Sequence, residues 1–130
     1  HVQFRTGAFA AVGDLEFLYA FHADGTLTES SNYDGAPPVP PAYGIWRGIG
    51  ERVFEAKYEF FLTKPPAGLR DLTGGGGWMP AGRGVLTERI TLAADGRSFT
   101  STVRYEAFGS DGKPVPGGGE GEGSGSRLEF

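Results

Sequence analysis

Two glutamates fall where a strand should be apolar. Around Leu27 and Tyr33 the better hydrophobic face reads Leu27, Glu29, Ser31, Tyr33, and around Leu86 to Leu92 it reads Leu86, Glu88, Ile90, Leu92. A carboxylate turned into a protein interior without a partner is costly, so it pairs, binds something or takes up a proton. Two such acids facing one cavity could fix a hydroxyl or amine of a bound molecule, or act as general acid and base beside Tyr58 and Tyr105. A bulge in either strand would instead return that acid to solvent, and tyrosine hydroxyls alone could satisfy it.

The other familiar chemistries find little support. There is no cysteine, so disulfides, thiolate zinc sites and thiol nucleophiles are excluded. His22 stands beside the turn at Asp24-Gly25 without a second ligand-spaced histidine, so no metal is expected. The run Gly74 to Gly77 is followed by neither Gly-Lys-Ser/Thr nor a helix pattern, which rules out a phosphate loop. No Ser-His-acid set can be assembled, and no cofactor is expected.

The elements that must hold the glutamates are strands. β-Branched and aromatic residues alternate with polar ones, and about eight strands are predicted near 2–11, 15–21, 26–32, 43–50, 52–62, 84–92, 98–108 and 119–129. Asp24-Gly25, Gly50-Glu51 and Asp95-Gly96 read as tight joins, and they alternate with longer ones at 33–42, 63–83 and 110–118. In an antiparallel up-and-down meander this places the tight turns at one end and the long loops at the other, around a mouth. The fold expected is thus an all-β barrel of one domain, 1–130. Segment 63–83 is a candidate lid carrying Trp78 and Met79, and the proline-rich stretch Pro37 to Pro41 is expected to stiffen the rim.

The two-residue period turns Phe54, Ala56, Tyr58, Phe60 and Leu62 inward on the fifth strand, with Leu15, Phe17, Tyr19 and Phe21 on the second and Phe99, Ser101, Val103, Tyr105 and Ala107 on the seventh. Trp46 is placed inward because its bulk matches the glycines Gly44 and Gly48 on its face, with ordinary core packing as the plainer reading. From Gly117 to Gly125 every odd position is glycine, the spacing of a strand that another backbone or a ligand approaches closely. Glu120 and Glu122 on its even face are then further candidate acids near the mouth.

Phe21-His22-Ala23-Asp24-Gly25-Thr26-Leu27-Thr28-Glu29, Gly44-Ile45-Trp46-Arg47, Phe54-Glu55-Ala56, Glu88-Arg89-Ile90-Thr91-Leu92 and Asp95-Gly96 together resemble bacterial lipocalin-like proteins of the calycin type, from about Leu15 onward. The resemblance implies an eight-stranded barrel with an interior for an apolar ligand, in a group mostly of unknown function. Lipocalins carry Gly-x-Trp on the first strand, whereas Gly44-Ile45-Trp46 lies on the fourth, so their closure of Trp on Arg does not transfer to Arg127. Barrel-shaped cyclases such as allene oxide cyclases are similar in outline, without shared motifs.

Three functions follow as expectations. The first is binding of a small, largely apolar molecule among Trp46, Phe54, Tyr58, Phe60, Val103, Tyr105, Trp78 and Met79. The second is a cofactor-independent cyclisation, isomerisation or dehydration using Glu29 and Glu88. The third is a filled β domain that pairs with a second copy through an edge or its Gly-rich last strand. The net charge of −4 without a basic face makes nucleic acid an unlikely partner. No apolar run approaches the roughly 20 residues that span a bilayer. The chain starts at His1, so a removed signal peptide is compatible with it, and the compartment stays open.

Overall fold

The computed structural model describes residues 1–33, 41–74 and 77–129, without the side chains of 71 and 72. The expected rim residues Pro37, Pro38 and Pro40 lie outside the described residues, as do Gly75 and Gly76. Eight strands form one antiparallel sheet: β1 (Val2–Phe4), β2 (Phe17–Phe21), β3 (Thr26–Ser31), β4 (Ala42–Gly50), β5 (Val53–Lys64), β6 (Met79–Leu92), β7 (Ser98–Phe108) and β8 (Pro114–Ser126). A short helix, α1 (Leu69–Thr73), lies between β5 and β6. From β2 to β8 each strand pairs with the next in the chain, and β1 lies beyond β8, so the up-and-down sheet curls into a half-barrel. Its two edges meet where Val2 N–H donates to the Leu15 carbonyl at 2.9 Å, beside a His1–Glu16 ion pair at 3.0 Å. Among the described residues no helix is long and apolar enough to cross a membrane.

Local chemistry explains the joins. At Asp24-Gly25 and Asp95-Gly96 the aspartate Oδ1 accepts the N–H two residues on, and the glycine takes the positive φ that closes the turn. In the turn between β4 and β5 the left-handed residue is Arg52, at φ 58°. The third join expected to be long is in fact tight: Asp111-Gly112 repeats the same device, with Lys113 N–H on Asp111 Oδ1 at 3.1 Å, and β8 starts at Pro114. Segment 63–83 is also shorter than a free loop, because 63–64 continue β5 and 79–83 begin β6.

The alternating faces fall largely as the two-residue period requires. Ala56, Tyr58, Leu86, Glu88, Ile90, Ser101, Val103, Tyr105, Leu27 and Glu29 are buried, while their neighbours Lys57, Thr87, Arg89, Thr102, Arg104 and Ser30 are exposed. Register shifts do occur, at Gly48/Gly50, Leu62/Thr63 and Tyr105/Ala107. None interrupts the pairing of Glu29 with Tyr19 or of Glu88 with Ala56 and Val103, so neither acid is returned to solvent.

Glycines set the curvature. The odd-numbered face of β8 points inward, and a Cβ on Gly121 would run into the Gln3 carbonyl and Phe4 Cα, while one on Gly119 would collide with the Thr6 carbonyl. The chain can therefore lay β1 and residues 5–7 against β8 at backbone contact. Gly84 lies under the rings of Phe60 and Tyr105, which stack at 6.1 Å and 18° across it. On β8 the even face is the outer one: Glu120 and Glu122 are exposed, and Glu122 pairs with Arg5 at 2.8 Å, so these acids are not at the mouth.

Candidate functional site

The long-join end of the half-barrel holds a cavity of about 240 Å3. β3 contributes Glu29 and Ser31, with Tyr33 just beyond the strand; β5 contributes Phe60 to Thr63, and Leu86 and Tyr105 come from β6 and β7. Its remaining wall is Leu15 and Phe17 with Ala8 and Phe9. The first strand expected over 2–11 stops at Phe4, and the chain then turns, with Gly7 at φ 82° and Val12 N–H bonded to the Phe9 carbonyl. That turn brings the Phe9 ring to 4.6 Å from Tyr105, 5.5 Å from Phe4 and 5.9 Å from Tyr33. A short apolar run cannot by itself distinguish a strand from a turn that plugs a barrel, which is why Ala8 and Phe9 escape a reading by periodicity.

Glu29 is the unusual group of this wall. It is 6% exposed, and among the described residues its Oε1 has no hydrogen-bond partner. Burial first, and the neighbouring Glu88 charge second, push its pKa up to about 7. A carboxyl so placed changes charge near neutrality, directly on the cavity.

Glu88 sits deeper, outside the cavity lining. Its Oε2 accepts from Tyr19 at 2.9 Å and Tyr58 at 3.1 Å, and the two hydroxyls are themselves 3.1 Å apart. Each phenol carries one proton, so when both are given to Oε2 the contact between the two hydroxyls holds no proton of its own. Burial raises the Glu88 pKa, against the opposing pull of the Ser101, Tyr19 and Tyr58 hydroxyls. Ser101 is near enough to lower the Glu88 pKa, yet among the described residues neither its Oγ nor Glu88 Oε1 makes a hydrogen bond of good geometry. Both tyrosines are pushed up in turn, chiefly by burial.

This arrangement predicts a pH-dependent cost. Hydroxyl bonds to a carboxylate favour its charged form, so Tyr58→Phe should destabilise the fold by about 1–3 kcal/mol at pH 8 and by less at pH 5. Chemical denaturation at the two pH values measures the difference, and an equal cost at both would contradict a hydroxyl-stabilised carboxylate.

The sequence-expected residues divide into three groups. Phe60 and Tyr105 line the cavity with Glu29. Tyr58 and Val103 are buried core, at 0% and 3% exposure, and with Glu88 they lie behind the lining. Trp46 and Phe54 belong to the opposite end: their rings are 5.7 Å apart, Phe21 packs on Trp46 at 6.1 Å, and Trp46 Nε1 donates to the His22 carbonyl beside the Asp24-Gly25 turn. Trp78 is half-buried and Met79 is 53% exposed, pairing with Lys64, and neither lines the cavity. The two-residue period gives the face of a side chain and not its height along a barrel.

Among the described residues no group of three or more His, Cys, Asp or Glu is placed to hold a metal ion. Compared with protein families, curated proteins and solved structures, the chain matches none. Its architecture, an eight-stranded antiparallel curled sheet, is consistent with a lipocalin-like barrel.

Proposed function

We propose that the protein binds a small, largely apolar molecule in the cavity at the long-join end, with Glu29 as its polar anchor. The observation that carries this reading is the buried carboxyl group of Glu29, one of whose oxygens is unpartnered among the described residues, in the wall of a cavity whose other walls are mainly Phe, Tyr, Leu and Ala. A cavity of about 240 Å3 lies below the roughly 300–1,000 Å3 of pockets for drug-sized ligands, so the ligand is small. Buried polar groups are ordinarily hydrogen-bonded, and a ligand donor would satisfy the Glu29 carboxyl where the described residues supply none to Oε1.

Titration of an apolar fluorescent probe tests this. We expect saturable one-to-one binding, weakened at least about tenfold by Ser31→Trp, whose ring would occupy the cavity. Mass spectrometry of the denatured protein should also release a retained small molecule. Absence of probe binding, or binding unchanged in Ser31→Trp, would contradict the assignment.

A carboxyl poised near neutrality beside a cavity also favours a second reading, in which Glu29 moves a proton in an isomerisation, cyclisation or dehydration. Glu88 does not share that work directly, because it is occupied by Tyr19 and Tyr58 behind the wall.

A further inference from the structure

We infer that the ligand is an organic cation: a small aromatic or aliphatic amine whose ammonium pairs with Glu29 while its apolar body lies among Phe9, Phe60, Leu86 and Tyr105. The inference rests on the pocket reading above and narrows it from any polar-tipped molecule to a positively charged one.

Three observations carry it. The interior holds two acids, Glu29 at 6% and Glu88 at 1% exposure, and no Lys, Arg or His lines the cavity among the described residues. Every ion pair among those residues joins exposed side chains, so none of them reaches the interior. The two interior acids thus have no ion-pair partner there, where a cation gains most from them. Secondly, Ser31, Tyr33, Thr63 and Tyr105 bring hydroxyl-bearing side chains to the same wall, yet Glu29 Oε1 has no partner among the described residues. The wall thus holds hydroxyls of its own but no positive group, which is what an ammonium would add. Thirdly, Phe9, Phe17, Tyr33, Phe60 and Tyr105 are aromatic, and ring faces attract a desolvated ammonium.

The groups facing Glu29 settle the sign of the pH dependence. Tyr19 lies opposite it on β2, Glu88 and Tyr58 act on it from β6 and β5, and Tyr105 shares its cavity from β7. The three tyrosines stay neutral through pH 8, since burial raises each of their pKa values. Glu88 is a second acid acting on Glu29, and its charge too favours a cation over a neutral ligand. An amine therefore gains affinity as pH rises from 6 to 8, whereas a neutral alcohol, which further desolvates Glu29, gains none.

Calorimetry with 2-phenylethylamine and with 2-phenylethanol, on the whole chain at pH 6 and pH 8, tests this. With a midpoint at about 7, the ionised fraction of Glu29 rises from about one-tenth to about nine-tenths, so the amine should bind roughly tenfold tighter at pH 8. At pH 6 it should release about one proton on binding, read from the heat in buffers of different ionisation enthalpy. Glu29→Gln should remove both effects, and the proton release of the unmodified protein serves should that variant not fold. Binding of the alcohol with equal or greater affinity than the amine at pH 8, or amine affinity flat between the two pH values, overturns the cationic ligand and leaves the pocket reading standing. Failure of both probes to bind overturns both.

Discussion

Glu29→Gln protein should be more stable than its parent at pH 8, by about 2–3 kcal/mol, and within about 1 kcal/mol of it at pH 5. In the folded chain burial raises the Glu29 pKa to about 7, against 4.5 for an ordinary glutamate. Between those two values the native state holds a proton that the unfolded chain has released. The stability this group contributes is consequently full at acid pH, declines as pH rises from 4.5 towards 7, and is gone above it. Glutamine occupies nearly the same volume and cannot ionise, so it removes the decline. Urea denaturation of both proteins across pH 5 to 8 measures it. Parallel stability curves would show that Glu29 ionises as it does in water.

Gly121→Val should cost at least about 3 kcal/mol and detach β1. Gly121 pairs with Phe4 on one side and Val103 on the other, and the first added carbon meets the Gln3 carbonyl and Phe4 Cα. These are backbone atoms, so no side-chain rotation relieves the clash. Releasing β1 would expose Val2 and Phe4, now 7% and 2% exposed, and would withdraw the turn that carries Phe9 to the cavity. The denaturation midpoint gives the cost, and faster hydrogen exchange at the amides of residues 2–5 locates it. A variant of parental stability would mean that β1 and β8 can separate without loss.

The strands that hold the glutamates were legible because each has one apolar face with a two-residue period, and one buried face fixes the register. Leu27-Glu29-Ser31 and Leu86-Glu88-Ile90 kept their inward order since the bulges fall elsewhere, at 48/50, 62/63 and 105/107. The alternate glycines of 117–125 also announced a close backbone approach, which proves to be β1 and residues 5–7. Height along the barrel was not legible: Trp46 and Phe54 face inward but stand beside the tight turns, and Glu88 lies behind the cavity that Glu29 reaches. Ala8 to Ala11 read as a strand because the run is apolar, while its φ-positive Gly7 and the Phe9 plug depend on contacts with Tyr105 and Tyr33 from distant strands. The Asp111-Gly112 turn did carry its signal, since it repeats Asp24-Gly25 and Asp95-Gly96, but the prolines and glycines that follow it resemble a loop.

The proposed site centres on one carboxyl group, that of Glu29, which lines the cavity and whose Oε1 has no hydrogen-bond donor among the described residues. Carbon-detected NMR titration of the Glu29 side-chain carboxyl reads its ionisation directly. A midpoint near 7 is the result expected of the buried group. A midpoint in the ordinary glutamate range, about 4.3, would place the carboxylate in water and contradict the site.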